Sequence, residues 1–118
     1  MPKLLIVDDE KDITEFAKNF FKKRGVEVTT ASGGLQALMA IEKENPDLVL
    51  LDVQMEEMNG VEVLKKLREN QKQVKVIMVT GVEDEVIINE AKRWNVRGFI
   101  HKPLILEELE KIVMAELK

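Results

Sequence analysis

Acidic, hydroxyl and amino side chains stand directly after short apolar runs at four places in this 118-residue chain. Grouped carboxylates suit a hard divalent cation such as Mg²⁺, and a carboxylate can also attack phosphorus to form an aspartyl phosphate. A hydroxyl and an ammonium group can balance charge on phosphoryl oxygens during such a step. The residues concerned are Asp8, Asp9 and Glu10, then Asp52, Thr80 and Lys102.

Most of these residues also have an ordinary structural interpretation. Asp8 or Asp9 alone can cap the helix that follows. Thr80 can close a strand, and Lys102 can be a solvated surface lysine. Asp52 is harder to explain, because it ends a run that reads as a strand buried on both faces. A buried carboxylate costs free energy unless a cation or hydrogen-bond donors compensate.

Five short apolar runs of strand length alternate with five amphipathic stretches of helical spacing. No linker or low-complexity tract divides them, so one domain over residues 1–118 is predicted. On the second helix, Leu38, Met39 and Ile41 are predicted to face inward, and Phe16 belongs to the apolar stripe of the first. The strand runs are 4–7, 26–30, 48–51, 74–79 and 98–100, and the helical patterns cover 13–21, 35–43, 61–67, 86–91 and 106–117.

This alternation predicts a doubly wound α/β domain, a five-stranded parallel sheet with helices on both faces. The first, third and fourth runs are the most uniformly apolar and are predicted to be central, with the second and fifth at the edges. In such sheets the functional crevice lies outside the carboxyl ends of the strands. The polar residues that follow the runs are therefore expected to converge there, which isolated caps and surface residues have no reason to do.

The composition excludes several classes of protein. No cysteine and a single histidine rule out a disulfide scaffold, a Cys nucleophile, and a thiolate or histidine-cluster metal site within one chain. No apolar run approaches the roughly 20 residues of a membrane span, and acids interrupt the N-terminal run, which predicts a cytoplasmic protein without membrane contact. A net charge of −4 argues against nucleic acid as a direct partner. The basic cluster Lys65, Lys66 and Arg68 is interpreted as solvated helix surface.

Four segments, in order over the whole chain, resemble the receiver domains of bacterial two-component response regulators: "LLIVDDE", "PDLVLLDVQMEEMNG", "VIMVTG" and "FIHKP". The resemblance implies the flavodoxin-like strand order 2-1-3-4-5. It also implies a phosphorylation-activated signalling switch that takes a phosphoryl group from a sensor histidine kinase or histidine phosphotransfer protein. The output partner or fused domain stays unknown, and a phosphorylation-dependent homodimer stays open.

Residue by residue, the resemblance assigns a phosphoacceptor and a metal site. Asp52 matches the phosphoacceptor. Asp8 and Asp9 match the acid pair that binds Mg²⁺, the implied cofactor, together with Asp52 and the backbone carbonyl of Gln54. The domain is then no enzyme in the usual sense, since it catalyses only its own Mg²⁺-dependent phosphorylation and autodephosphorylation.

The resemblance also assigns the switch. Lys102 matches the lysine that contacts the phosphoryl group, Thr80 the switch hydroxyl, and Phe99 the aromatic that moves with it. Phosphorylation is then expected to change the surface formed by the fourth helix, fifth strand and fifth helix. The Lys102–Pro103 bond corresponds to a peptide that is often cis in the family.

Some residues depart from the family's usual pattern. Glu56 stands where proline is common, which leaves the loop after the phosphoacceptor less rigid. Phe99 lacks the hydroxyl of a tyrosine, so its inward or outward preference depends on packing. Gln54 and Val82 are side chains that can modulate attack by water.

Two other classes of function remain open. One is a phosphohydrolase similar to the haloacid-dehalogenase enzymes, which also forms an aspartyl phosphate; Gln54 stands where its general acid would be, and no cap domain is visible in the sequence. The other is an interaction module of the same fold that has lost phosphorylation. A nucleotide-binding function is excluded, because no Gly-rich loop follows the first strand.

Overall fold

Strands and helices alternate along the chain as the sequence predicts. The computed structural model describes residues 1–81 and 85–118. Its strands are β1 (Lys3–Val7), β2 (Glu27–Ala31), β3 (Leu48–Asp52), β4 (Lys75–Thr80) and β5 (Gly98–His101). Its helices are α1 (Lys11–Lys22), α2 (Gly34–Glu44), α3 (Gly60–Glu69), α4 (Glu85–Lys92) and α5 (Leu106–Leu117).

The strands form one parallel sheet in the order β2-β1-β3-β4-β5. This confirms the predicted doubly wound fold, with β1, β3 and β4 central and β2 and β5 at the edges. The register places Val7 opposite Leu51, and Thr80 opposite His101. The carboxyl ends of β1, β3, β4 and β5 therefore lie side by side along one margin of the sheet, perpendicular to the outer strands. The predicted site residues follow these strand ends.

Both faces of the sheet are buried, and the side chains of each strand alternate between them. On one face, Leu4, Leu50 and Ile77 belong to a core cluster with α1 and α5, in which Phe21 is fully buried. On the other face, residues such as Leu51 belong to a second cluster with α2, α3 and α4. Each fully buried Leu or Phe side chain contributes roughly 1.5–3 kcal/mol of transfer free energy. The packing of helices on both faces of the sheet therefore stabilises the fold.

Local signals in the sequence end and begin the helices. Gly25, at φ +78°, follows α1, and Asn45, at φ 51°, ends α2 just before Pro46 in the left-handed conformation common at helix C-termini. Asn59 caps α3, since its side chain accepts a hydrogen bond from the Glu62 backbone N–H at 2.9 Å.

Some predicted inward residues face solvent instead. Met39 is 64% exposed, so its predicted inward position on α2 is wrong. The buried side of α2 carries Ala37 and Ile41, and residue 39 lies two positions from each, about 200° around a helix of 3.6 residues per turn. Phe16 is likewise 60% exposed, because Ala17 and Phe21 occupy the buried side of α1.

Arg68 closes the sheet edge opposite the predicted site, at the amino ends of β4 and β5. Its guanidinium donates to the carbonyls of Trp94 and Asn95, at 2.7 and 2.9 Å, and of Lys72 and Val74, at 2.7 and 2.9 Å. Burial lowers the pKa of this guanidinium from its usual value. The interpretation of Arg68 as solvated surface is therefore wrong: its side chain joins the segments that precede the two strands.

None of the helices in the described ranges combines the length and hydropathy that a membrane-spanning helix needs.

Candidate functional site

Asp52 lies at the carboxyl end of β3, the most deeply buried strand, and is 2% exposed. Its Oδ1 accepts a hydrogen bond from the Gln54 backbone N–H at 3.1 Å, and its Oδ2 accepts one from Lys102 Nζ at 3.1 Å. Burial raises the pKa of Asp52, and the negative charge of Asp8 raises it further, against the opposing effects of Lys102 and the Gln54 amide. The charged form of Asp52 therefore costs more free energy here than that of an exposed aspartate.

The segment after β1 brings further carboxylates to the same edge. Asp8 is 4% exposed; its backbone N–H donates to the Ala31 carbonyl at 3.1 Å, and its Oδ1 accepts from the Glu10 N–H at 2.9 Å. Asp9 and Glu10 are exposed. One carboxylate oxygen from each of these three acids lies within 4.8 Å of the others. Such an all-oxygen donor set suits a hard cation like Mg²⁺.

Lys102 connects these acids. Its backbone N–H donates to the Thr80 carbonyl at 2.8 Å, which fixes the start of the loop after β5. Its Nζ lies 3.1 Å from Asp52 Oδ2, 3.6 Å from Asp8 Oδ2 and 4.0 Å from Glu10 Oε1. Burial alone lowers the pKa of Lys102, but the hydrogen bond and charge of Asp52, with Asp8 and Glu10, outweigh it and raise the pKa. Lys102 is therefore a firmly charged ammonium among the acids.

Thr80 and Phe99 project from the same face of the sheet. Phe99 pairs in register with Met78 on β4, and Thr80 follows Met78 by two positions, which returns its side chain to that face. Thr80 is 3% exposed, whereas Phe99 is half-buried against the cluster beneath α2, α3 and α4. Val82, predicted to modulate attack by water, lies outside the described residues.

The loop after Asp52 turns back so closely that only glycine fits where it ends. A Cβ on Gly60 would lie 2.4 Å from the Asp52 carbonyl oxygen and 3.0 Å from the Val53 Cα. The Gly60 N–H donates to the Val53 carbonyl at 2.8 Å, and the Val53 N–H to the Val79 carbonyl at 2.9 Å. The start of α3 therefore holds the backbone next to Asp52.

The structure brings together Asp8, Asp52 and Lys102 in direct contact, with Asp9 exposed beside them. The Lys102–Pro103 peptide bond is cis, the isomer that the resemblance implies. From the sequence, Glu10 was named among the candidate acids, but the resemblance gave it no place in the metal site, and Gly60 was given no role. Their signals were the unbroken acid run after β1 and the glycine that closes the loop after β3.

Comparisons with known proteins agree over nearly the whole chain. A family model described as the response regulator receiver domain matches residues 4–114. Sporulation initiation phosphotransferase F of Bacillus subtilis (strain 168) is 36% identical over 111 residues, which cover 94% of this chain and 90% of that protein. Some other curated relatives are longer, and the chain spans 25% of one and 48% of another.

Two solved structures share the fold throughout. A CheY-like response regulator receiver domain protein from Methanospirillum hungatei JF-1 is 29% identical with a TM-score of 0.94, covering 99% of this chain and 94% of that one. The response regulator TrrA from Thermotoga maritima, in complex with Mg²⁺-BeF, is 32% identical with a TM-score of 0.86, covering 99% and 100%.

The fold and the position of the site define a doubly wound α/β domain with an acidic pocket at the carboxyl edge of its sheet. The chain belongs to the response regulator receiver domain family, as its sequence resemblance predicted. It is a phosphorylation-activated signalling switch of a two-component system, and its family receives phosphoryl groups from histidine kinases.

Proposed function

We propose that Asp52 is the phosphoacceptor of this switch. The observation that carries the proposal is a buried carboxylate at the end of β3, 3.1 Å from a lysine Nζ and next to a second buried acid, Asp8. A carboxylate whose pKa is raised by burial and by Asp8 is costly to keep, which supports a chemical role over a structural one. Lys102 remains charged beside it. Its ammonium group offsets the negative charge of the carboxylate and of an incoming phosphoryl group.

The reaction proposed is transfer from a phosphohistidine. An anionic Asp52 oxygen forms a bond to phosphorus, the bond from phosphorus to the donor's imidazole nitrogen breaks, and that nitrogen takes up a proton. Lys102 stabilises charge on the phosphoryl oxygens, and the Thr80 hydroxyl is the proposed donor to another. Attack of water on phosphorus returns Asp52 and releases inorganic phosphate, so the domain catalyses only its own phosphorylation and dephosphorylation.

The acids fit a bound Mg²⁺, for which Asp8, Asp9, Asp52 and the Gln54 carbonyl are the proposed ligands. Within the described residues, three carboxylates after β1 lie in mutual reach, and Asp8 also raises the pKa of Asp52 through its charge. A divalent cation, when bound, supplies positive charge to the transferring phosphoryl oxygens. Asp8 and Asp9 would hold and orient that charge, and the Lys102 ammonium adds a second positive charge beside Asp52.

Transmission through the fold is also proposed. A phosphoryl group on Asp52 adds negative charge and acceptor oxygens, which attract Thr80 and Lys102. Phe99 shares the sheet face of Thr80 and is half-buried, so inward movement of Thr80 favours a deeper position of its ring. The surface of α4, β5 and α5 then changes and regulates a partner or an attached output domain.

The whole chain, residues 1–118, is proposed to act as this one domain in the cytoplasm. A sensor histidine kinase or a histidine phosphotransfer protein is the proposed phosphodonor. No direct contact with nucleic acid or membrane is proposed for the domain, and phosphorylation-dependent homodimerisation is its proposed self-association. These points depend on family membership and on the sequence.

The test is the intact mass of the purified protein after incubation with acetyl phosphate, with and without Mg²⁺. The wild type is expected to gain one phosphoryl group in Mg²⁺ only. Asp52→Asn is expected to gain none, and Asp9→Asn is expected to require more Mg²⁺. Asp47→Asn is the matched control, because Asp47 is an exposed aspartate at the other end of the same strand.

An adduct that persists in Asp52→Asn would remove Asp52 as the acceptor. Beryllofluoride is an anion with the shape of a phosphoryl group. If acetyl phosphate does not label the wild type and beryllofluoride does not bind it, the proposed phosphorylation of Asp52 is wrong and a binding module is favoured. Mass spectrometry detects covalent labelling, and Mg²⁺-dependent nuclear magnetic resonance (NMR) shifts near Asp52 detect beryllofluoride binding.

A further inference from the structure

The exposed side of α2 carries two large apolar side chains that the fold does not cover. Leu35 is 60% exposed and Met39 is 64% exposed. They are four residues apart, so their side chains are neighbours on one face of the helix. Neither residue belongs to the site described above or to either core cluster. Two adjacent exposed apolar residues on a helix favour contact with another molecule more than isolated ones do.

A concave surface of about 450 Å³ lies beside these residues and is here called the α2 groove. It runs between the first half of α2 and the loop after β3. Its lining includes Leu35, Gln36 and Met39 on one side, and Asp9, Glu56 and Glu57 on the other. The groove thus combines an apolar wall with an acidic one.

The charge of the groove has one sign. Asp9, Glu56 and Glu57 are all exposed, and no lysine or arginine is among its described lining residues. By contrast, the apolar groove between α1 and the loop before α5 includes both Asp12 and Lys102 among its lining residues. The α2 groove therefore disfavours acidic partners and complements a partner with lysine or arginine beside its apolar side chains.

The walls of the α2 groove are packed against each other. A Cβ on Gly34 would lie 2.8 Å from Met58 Cβ and 2.9 Å from Val63 Cγ2, so the first turn of α2 contacts the loop that carries Glu56 and Glu57. On the helix side, the Ser32 hydroxyl donates to Gln36 Oε1 at 2.9 Å. A groove held in this way does not need to form when a partner binds, which lowers the entropy cost of binding.

We infer that the α2 groove docks a basic amphipathic helix of a partner protein. The apolar side chains of that helix pack on Leu35 and Met39, and its lysines or arginines face Glu56, Glu57 and Asp9. This is the helix-in-groove mode of recognition, with anchors at positions i, i+3 or i+4 and i+7. The contact is small, so binding is weak and reversible.

Docking is coupled to the metal site in one respect that rests on the proposed function. Asp9 borders the α2 groove and is also a proposed Mg²⁺ ligand. A cationic side chain beside Asp9 and a divalent cation repel each other, so the helix and Mg²⁺ weaken each other's binding by the same factor.

The probe is a synthetic 14-residue peptide with leucine at the anchor positions and lysine elsewhere, titrated without Mg²⁺ into the ¹⁵N-labelled full chain and followed by NMR. Saturable shifts are expected at Leu35, Gln36, Met39 and Glu56. The same peptide with glutamate in place of lysine is expected to cause none.

Two pairs of variants separate the apolar and charged parts of the contact. Met39→Ser is expected to weaken binding about fivefold or more, whereas Ile105→Ser, at another exposed apolar residue, leaves it unchanged. Glu56→Gln with Glu57→Gln is expected to weaken binding at low salt and to reduce its salt dependence. Glu107→Gln with Glu108→Gln changes the net charge equally on α5 and is expected to have no effect.

Shifts centred on Phe16 and Ile105, or equal binding of the glutamate peptide, would overturn the inference. Concentration-dependent shifts at Leu35 and Met39 in the protein alone would assign the groove to a second copy of the chain instead. A repeat titration in Mg²⁺ tests the coupling separately. Unchanged affinity there contradicts the shared role of Asp9 while the peptide site on α2 stands.

Discussion

Lys102 Nζ lies 3.1 Å from Asp52 Oδ2, and this hydrogen bond joins the loop after β5 to the end of β3 across 50 positions of sequence. The same Nζ is 3.6 Å from Asp8 Oδ2, so one ammonium group balances two buried carboxylates. The proposed phosphoacceptor is therefore held beside both a like charge and an opposite one.

Removal of this ammonium should destabilise the fold. In Lys102→Met, Asp8 and Asp52 face each other without the cation, and we expect unfolding free energy to fall by about 1–2 kcal/mol at pH 7. Urea unfolding measures the change, with Lys111→Met on the exposed side of α5 as the control. The loss should shrink in the background of Asp52→Asn, because one of the repelling charges is then absent. An equal loss in both backgrounds would contradict the pairing.

Asp52→Asn should stabilise the metal-free protein at neutral pH. The folded-state pKa of Asp52 is raised above its ordinary value of 3.8, so the wild type loses stability as pH rises through 3.8 and the raised value. Asparagine carries no charge at any of these pH values. The expected gain is on the order of 1 kcal/mol, or roughly 4 °C in melting temperature, at pH 7 in EDTA.

The same pair of proteins gives the control for that stabilisation. Near pH 3, where both forms of residue 52 are mostly neutral, the two melting temperatures should converge. A gap that is constant from pH 3 to pH 7 would exclude titration of Asp52 as its cause.

Thr80→Ala should separate phosphorylation from transmission. The variant keeps Asp52, Lys102 and the acids after β1, so it should still be labelled by acetyl phosphate. Without the hydroxyl, the phosphoryl group loses one proposed donor and its link to the sheet face that carries Phe99. NMR shifts in α5 on phosphorylation should therefore fall by half or more. Shifts equal to the wild type would remove Thr80 from the switch.

Gly60→Ala should disturb the site from outside it. The new methyl would meet the Asp52 carbonyl oxygen at 2.4 Å, and backbone atoms cannot rotate away as a side chain can. We expect a loss of about 2–3 kcal/mol in stability and slower labelling by acetyl phosphate. Gly98→Ala is the matched control, since nothing lies within 4 Å of a Cβ there. Comparable losses in both variants would refute the steric argument.

Arg68→Met should lower stability without changing the chemistry. Four carbonyl oxygens lose their charged donor, and we expect a loss of about 2–3 kcal/mol in urea unfolding. Arg68 lies at the edge of the sheet opposite Asp52, so the labelling rate of the folded variant should match the wild type. Arg93→Met on the exposed surface provides the control. A slowed labelling rate would show that the two edges are coupled.

The strands, and which of them are central, could be predicted because burial on both faces leaves a plain signal, an unbroken apolar run such as that before Asp52. The full order 2-1-3-4-5 was implied by the family resemblance. The convergence of Asp8, Asp52 and Lys102 follows from parallel strands that share an edge. The facing of Met39 was mispredicted, since α2 has apolar residues on both its buried and exposed sides.

Other features depend on the path of the chain in space. The close approach of Gly60 to Asp52 requires the loop to fold back, and no local pattern specifies that distance. Arg68 donates to carbonyls up to 27 residues away, and nothing in the local sequence reveals those acceptors. Its neighbours Lys65 and Lys66 therefore suggested a basic cluster on the surface. Charge on a helix predicts exposure only where no carbonyls converge on it.

The central place of β3 has a consequence for how information leaves the domain. Its side chains contribute to both cores, Leu50 to the layer under α1 and α5 and Leu51 to the layer under α2, α3 and α4. The proposed phosphoryl group on Asp52 therefore adjoins two helical layers, one on each face of the sheet. A small movement at the end of β3 thus reaches side chains of both cores, so one modification is expected to alter both helical layers together.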